Sequence, residues 1–372
     1  MRRLEGLDVM LVYKEDKGER LLRSLIGRRY LFACVIGSTE TSLIEGITVA
    51  GASPQLTLYT PAADVEYLLL GRCKCMESIP ITPEGIPTPA LITRAALRLV
   101  DAPALVVDGG SYVKPSVPHV DVGGGPGRNI RAGLAIDYER VLESYRRSVA
   151  LGRELSKLCD YLVIGESVPA GTTTALAVLT ALGVDAKNKV SSAMPNNPHG
   201  LKIKVAEEAL MKAGLAPSSS NDPFEVVSRV GDPMMPCFAG LVVGAVDRAP
   251  VIMAGGTQMA AVAAVIKFLR EDALDNVVVG TTRWIIEDRS SDLRGLISQV
   301  AEVPIAAAVL DFSRSSIEGL RFYERGYVKE GVGAGGSSIA AMIASGGLVD
   351  SSRILSKVEE DYASLKAKGY VE

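Results

Sequence analysis

Short runs of aliphatic, often β-branched residues recur along the chain, each followed by glycine or a polar turn and then by a helix-compatible stretch. They fall at Leu31 to Ile36, Ala104 to Val107, Tyr161 to Ile164, Val251 to Met253, Val277 to Val279 and Ile305 to Val309. Runs that are apolar throughout, rather than alternating, read as strands covered on both faces. Their alternation with helices predicts an α/β fold with a doubly wound, mainly parallel sheet, a Rossmann-like large domain. The ends differ: residues 1–30 and 346–372 are charged and amphipathic, with Ile354, Val358, Tyr362 and Leu365 at helical spacing. This predicts a large domain over 31–345 and a small helical subdomain built from 1–30 plus 346–372. Ligands of open parallel sheets bind outside the carboxyl ends of the strands. The turns Asp108-Gly109-Gly110, Gly165-Glu166 and Gly255-Gly256 therefore mark one candidate crevice.

Composition narrows the class. Hydrophobic residues make up 48% but aromatics only 5%, with 37 glycines, as tight turns between packed aliphatic strands require. A net charge of −3 leaves no basic footprint for nucleic acid. The apolar stretch from Met234 to Val246 stops at Asp247, short of a membrane span, and no signal-like core follows Arg2 and Arg3, so a cytoplasmic protein is expected. Five cysteines, with Cys73 and Cys75 the one close pair, suit reduced thiols; a zinc site at that pair lacks a second pair or a nearby His. His119 and His199 are the two histidines, too few for a His-rich metal centre, so carboxylates, lysine and backbone amides carry the chemistry.

Three segments hold that chemistry. In GESVPAGTTTALAVLTALG a strand ends, turns and opens a helix at Gly171, Thr172, Thr173 and Thr174. Free first-turn amides, the positive end of the helix dipole and three hydroxyls make an anion site, although Thr172 as a simple helix cap remains open. In YVKEGVGAGGSSIAAMIASGG, Glu330 precedes Gly331, Gly333, Gly335 and Gly336. A carboxylate beside so permissive a backbone suits a general base close to a flat ligand; a solvated loop carboxylate is the alternative. The run VDVGGGPGRNI adds Arg128, a phosphate partner or a solvated side chain, and Asn129 as a substrate-binding candidate. Lys202 and Lys204 lie at a helix start, and one of them is placed to reach a phosphate.

These segments, in this order, resemble the nicotinate-nucleotide:dimethylbenzimidazole phosphoribosyltransferase family, in its diverged archaeal-type branch, over residues 104 to 345. Glu166 with Ala170 to Thr173 is similar to the family's phosphate turn, with Gly171 where Asn is usual. Lys202, before VAEEAL, falls where a family lysine approaches the phosphate, with Lys204 the alternative register. The run DPFEVVSRVGDPMMPCFAGLVVGAV resembles a further family segment. Lys329 to Ala334 resembles the Leu-Gly-Glu-Gly-Thr-Gly-Ala signature, which puts the family's general base on Glu330 and substrate contacts on Gly331 and Gly333. The resemblance implies transfer of phosphoribose from nicotinate mononucleotide to 5,6-dimethylbenzimidazole or a related base, giving the α-riboside 5′-phosphate of a cobamide lower ligand. It calls for no cofactor and no metal, and implies a homodimer. Residues 1–103 depart from the family, lacking its Asp-His-Gly turn, and Ala254-Gly255-Gly256 stands where Asp-Gly-Phe is usual. Thr60 to Arg72, with Tyr67 and Arg72, and the proline-rich ITPEGIPTP are candidates for a different acceptor wall, or an ordinary helix and surface loop.

Two other classes are weighed against the transferase. A nucleotide-binding regulator that kept the phosphate turn would have no use for Glu330 as a base. A dinucleotide oxidoreductase is suggested by the G-x-G-x-x-G at Gly331, Gly333 and Gly336, but lacks room for a full dinucleotide unit and an acidic partner on a following strand.

Overall fold

The computed structural model describes residues 1–371. Nine strands form one sheet: β1 (Arg2–Arg3), β2 (Val9–Tyr13), β3 (Tyr30–Gly37), β4 (Ala104–Gly110), β5 (His119–Asp121), β6 (Tyr161–Ser167), β7 (Val251–Ala254), β8 (Val277–Thr282) and β9 (Ile305–Ala308). Their spatial order is β1-β2-β9-β8-β7-β6-β3-β4-β5, parallel from β9 to β5. All six predicted strands are present, and the α/β expectation stands.

The sheet is buried on both sides because its pleat divides each strand between two cores. Leu31, Ala33 and Val35 of β3 face the same way as Leu162 and Ile164 of β6, under the helices Tyr138–Leu155, Gly171–Ala181, Met234–Ala245 and Gln258–Arg270. Phe32, Cys34 and Ile36 face the opposite way with Val163, under Thr60–Leu70, Ala90–Leu99, Ala334–Ala344 and Ser351–Ala367. The chain leaves β3 towards β4 and β5, then returns to pair β6 on the other side of β3. Connections therefore diverge between β3 and β6, which opens a crevice at the carboxyl ends of these strands.

The small helical subdomain is corrected at its N-terminal part. Val9–Tyr13 is a strand, antiparallel to β9, because Val9 and Leu11 bury on one face of the sheet and Val12 on the other. The helix Glu15–Ser24 follows it. The C-terminal helix Ser351–Ala367 forms as expected, burying Ile354, Val358 and Leu365, and it packs on Ala90–Leu99. The ends meet where Ser351 N–H donates to Asp8 Oδ2 at 3.1 Å, as cover for the main sheet. The short strand β5 also went unpredicted, hidden in a stretch dominated by proline and glycine.

Candidate active site

β6 delivers Glu166 and Ser167 to the crevice and then turns through Val168, Pro169 and Ala170 into the helix Gly171–Ala181. The capping residue is Ala170, at φ +66°, with no side chain able to accept. The cap reading of Thr172 therefore falls away. Its hydroxyl instead accepts from Lys202 Nζ at 2.9 Å. Gly171 is required here because a Cβ would sit 2.8 Å from Val168 Cγ1 and 3.4 Å from Gln258. Thr173 lies behind the turn, buried, and Thr174 donates to Asp232.

Lys202, on the helix His199–Ala213, is fully buried, and its ammonium also donates to Ser191 O. Burial, with Lys329 nearby, pushes its pKa down to about 7. Such a lysine gains its charge most readily when an anion arrives, because a buried cation is unfavourable without a counter-charge. Lys204 is exposed one turn-face away, which decides between the two registers in favour of Lys202 as the neighbour of the turn. Lys329, also buried, pairs with Asp288 at 3.0 Å and donates to Met194 O at 3.2 Å.

Glu330 is only partly buried at the level of the whole residue, but its carboxylate is enclosed by donors. It accepts from Gly331 N–H at 3.1 Å, from Gly335 N–H in the first turn of Ala334–Ala344, and from Thr281 Oγ1 at 3.4 Å. Desolvation outweighs these bonds and pushes its pKa up to about 7. The residues two before and two after it, Val328 and Val332, have φ of +54° and +53°. β-Branched residues resist that region, so the surroundings must hold the loop. They do: Val328 N–H donates to Ala193 O, Val332 N–H to Glu166 O, and Thr93 Oγ1 to Val332 O.

Glu166 is buried and receives Gln258 Nε2 at 3.3 Å. Burial first, then the nearby Asp232 and Glu330 charges, push its pKa up to about 8. A third carboxyl, Asp64 on the helix Thr60–Leu70, faces the same space and is pushed up to about 7 by burial against the opposing effect of hydroxyl bonds from Thr88 and Ser167. Together these groups line a cleft of about 870 Å³, counting its open mouth.

The cleft brings together Glu166, Gly171, Thr172, Glu330 and Gly331, with Lys202 and Thr173 just behind its wall. Two candidates are corrected. Asn129 is not on the cleft; its side chain caps the short turn Ile130–Ala132 by accepting from Arg131 N–H, and Arg128 pairs with Asp137 at the surface. Gly333 meets the sheet rather than the cleft, with its Cβ position 2.9 Å from Gly165 Cα, so backbone packs on backbone there. Tyr67 is a core residue against Arg94, and Arg72 binds Tyr370. The stretches Thr60 to Arg72 and ITPEGIPTP do reach the cleft, through Thr60, Asp64, Ile81, Thr82, Ile86 and Thr88, but sequence reading singled out neither Asp64 nor Thr88, and it missed Ser191 and Gln258. The available signal was a pair of acids, Asp64 and Glu66, within TPAADVEYLLL, a helix apolar enough to be buried; Glu66 takes the backbone N–H groups of Lys74, Cys75 and Ser116, which leaves Asp64 for the cleft.

The model of the family described as phosphoribosyltransferase matches residues 90–283, and the curated relatives align over nearly the whole chain. The chain belongs to this phosphoribosyltransferase family. Among its relatives, a UPF0284 protein of Sulfurisphaera tokodaii is 50% identical over 90% of this chain and 93% of that protein. Another, from Sulfolobus acidocaldarius, is 51% identical over 90% and 95%. These place the phosphoribosyltransferase in an archaeal branch, as the sequence resemblance implied. Two solved structures from Thermus thermophilus share its fold. The nicotinate-nucleotide-dimethylbenzimidazole phosphoribosyltransferase is 16% identical at a TM-score of 0.58, covering 96% of this chain and 92% of that chain. CobT is 18% identical at a TM-score of 0.57, covering 88% and 89%. The family match ends at Arg283, so it spans the turn from Glu166 to Thr172 and Lys202 but neither Glu330 nor the segment carrying Asp64. No described helix is long and apolar enough to cross a membrane.

Proposed function

We propose that this phosphoribosyltransferase moves phosphoribose from nicotinate mononucleotide to 5,6-dimethylbenzimidazole or a related flat base, releasing nicotinate and forming an α-riboside 5′-phosphate. The observation that carries the proposal is the pairing, in one cleft, of an anion-ready helix start at Gly171-Thr172 over Lys202 with a poised carboxyl at Glu330. The nucleotide's 5′-phosphate takes the helix start and recharges Lys202, so binding energy far from the reacting carbon fixes its position. The anomeric C–N bond breaks with its electron pair moving onto the pyridinium nitrogen, which neutralises that ring. A base nitrogen attacks the opposite face, inverting β to α, and the proton on the base's other nitrogen passes to Glu330. Glu166, whose pKa burial and the Asp232 and Glu330 charges push up to about 8, lines the same cleft. The protein is proposed to work as a cytoplasmic homodimer.

Incubation with nicotinate mononucleotide and a panel of bases is expected to release nicotinate in step with riboside phosphate. A protein that binds the nucleotide yet releases nothing with any base would sink the transferase reading in favour of a nucleotide-binding regulator. Because Glu330 acts as a base only when ionised, kcat/KM should rise with pH towards about 7, and because Lys202 must carry its proton to hold the phosphate, it should fall again above that. A pH profile already flat between 5 and 7 would show that another group limits the rate. Lys202→Met should raise KM for the nucleotide on the order of 10- to 100-fold, the worth of a lost charge-assisted bond, with kcat much less affected. Initial rates over a range of nucleotide concentrations check it, and a fall confined to kcat would contradict the phosphate role.

A further inference from the structure

One wall of the cleft is built from residues 48–89, a stretch that precedes the whole family match. It presents Pro80, Ile81, Ile86 and Pro89, and among the described residues no aromatic ring lines it. Thr48, Thr60, Thr82 and Thr88 line it too, and the one charged-type group this stretch brings to the cleft is Asp64, whose side chain is buried. Its bonding is directional. Ala90 N–H donates to Thr88 Oγ1 at 3.2 Å, so the single proton of Thr88 goes to Asp64 Oδ1 at 2.7 Å. Ser167 Oγ donates to Oδ2, also at 2.7 Å. Both hydroxyls give rather than take, which orients Asp64 as an acceptor and leaves each oxygen a further lone pair. A buried carboxylate with spare lone pairs on a cleft wall is costly until a donor satisfies it. An apolar wall for a dimethylated ring has no need of such a group.

We propose that Asp64 is the acceptor-recognition group of this protein, and that its base carries an O–H or N–H donor on the edge remote from the attacking nitrogen. The inference rests on the transferase reading for its role but makes its own prediction about binding. Pro80, Ile81, Ile86 and Pro89 with a buried acceptor among them fit a flat heteroaromatic that carries one polar substituent, and a site built to satisfy a buried polar group rejects the analogue lacking it.

The test compares 5,6-dimethylbenzimidazole with benzimidazoles bearing a 5-hydroxyl or 5-amino group. Equilibrium titration against the free wild-type protein is expected to show the donor-bearing bases binding about tenfold or more tighter, as a hydrogen bond to a charged group is worth. Where turnover is seen, kcat/KM should order the bases the same way. Asp64→Asn should abolish the preference, mainly through KM, while nicotinate mononucleotide affinity stays as in wild type. Equal wild-type affinity for the two kinds of base overturns the inference, and this arm does not depend on the variant folding. Equal losses for all bases in Asp64→Asn overturn it too. Base preference without any nicotinate release would leave Asp64's role in base binding intact and defeat the transferase reading instead.

Discussion

Glu330→Gln is expected to lower kcat by roughly 10²- to 10⁴-fold, the usual worth of a positioned general base, while leaving nicotinate mononucleotide affinity within a factor of about two. Glutamine keeps the length and one acceptor oxygen, so Gly331 and Gly335 N–H retain a partner while the proton acceptor is lost. The variant should also lose the rise in kcat/KM towards about pH 7, because that rise belongs to the Glu330 carboxyl. Single-turnover nicotinate release, with binding measured separately, checks both statements. A variant with near wild-type turnover would remove Glu330 from the chemistry and leave Glu166 or Asp64 as the base.

Gly335→Ala should be the most disruptive of the conservative changes near the site. An added Cβ would lie 2.0 Å from Thr281 C and 2.3 Å from its carbonyl oxygen, both backbone atoms of β8 that cannot swing aside. The helix Ala334–Ala344 must back away from the sheet, at a cost of about 3 kcal/mol or more for overpacking. For a chain of this size that is a fall in Tm of roughly 4 °C. The retreat also draws the Gly335 N–H away from Glu330, so the surviving folded enzyme should turn over more slowly with its apparent pKa raised further. The sign follows from the bond lost: a hydrogen bond to the charged form holds a carboxyl's pKa down. Melting curves and a pH profile of the variant read the two effects separately, and an unchanged Tm would mean the helix is free to shift.

These two residues show how unevenly the site is written in the sequence. Glu330 was legible because a carboxylate beside four glycines is unusual and because a family signature runs from Lys329 to Ala334. The glycines themselves were misread as a group. Gly331 lines the cleft, whereas Gly333 and Gly335 are there to let a helix approach β6 and β8. Nothing local distinguishes a glycine that admits a ligand from one that admits a strand. Asn129 was misplaced for a related reason: a polar residue after a glycine-rich turn serves equally as ligand or cap, and here it caps. The edge strand β2 was lost to its charged neighbours, since five residues that bury on two faces carry no helical or alternating period of their own.

By itself the sequence determined the strands, the order of α and β, and the glycine-containing turns that carry Thr172 and Glu330 to the cleft. All of these depend on runs of a few residues whose periodicity, turn chemistry or motif is local. The tertiary structure decided which of Lys202 and Lys204 sits behind Thr172, which glycines face the cleft, and that Asp64 joins Glu166 and Glu330 across 266 positions of chain, from 64 to 330. Their raised pKa values exist only there, because desolvation and mutual repulsion are properties of the enclosed space the folded chain makes and of no segment taken alone.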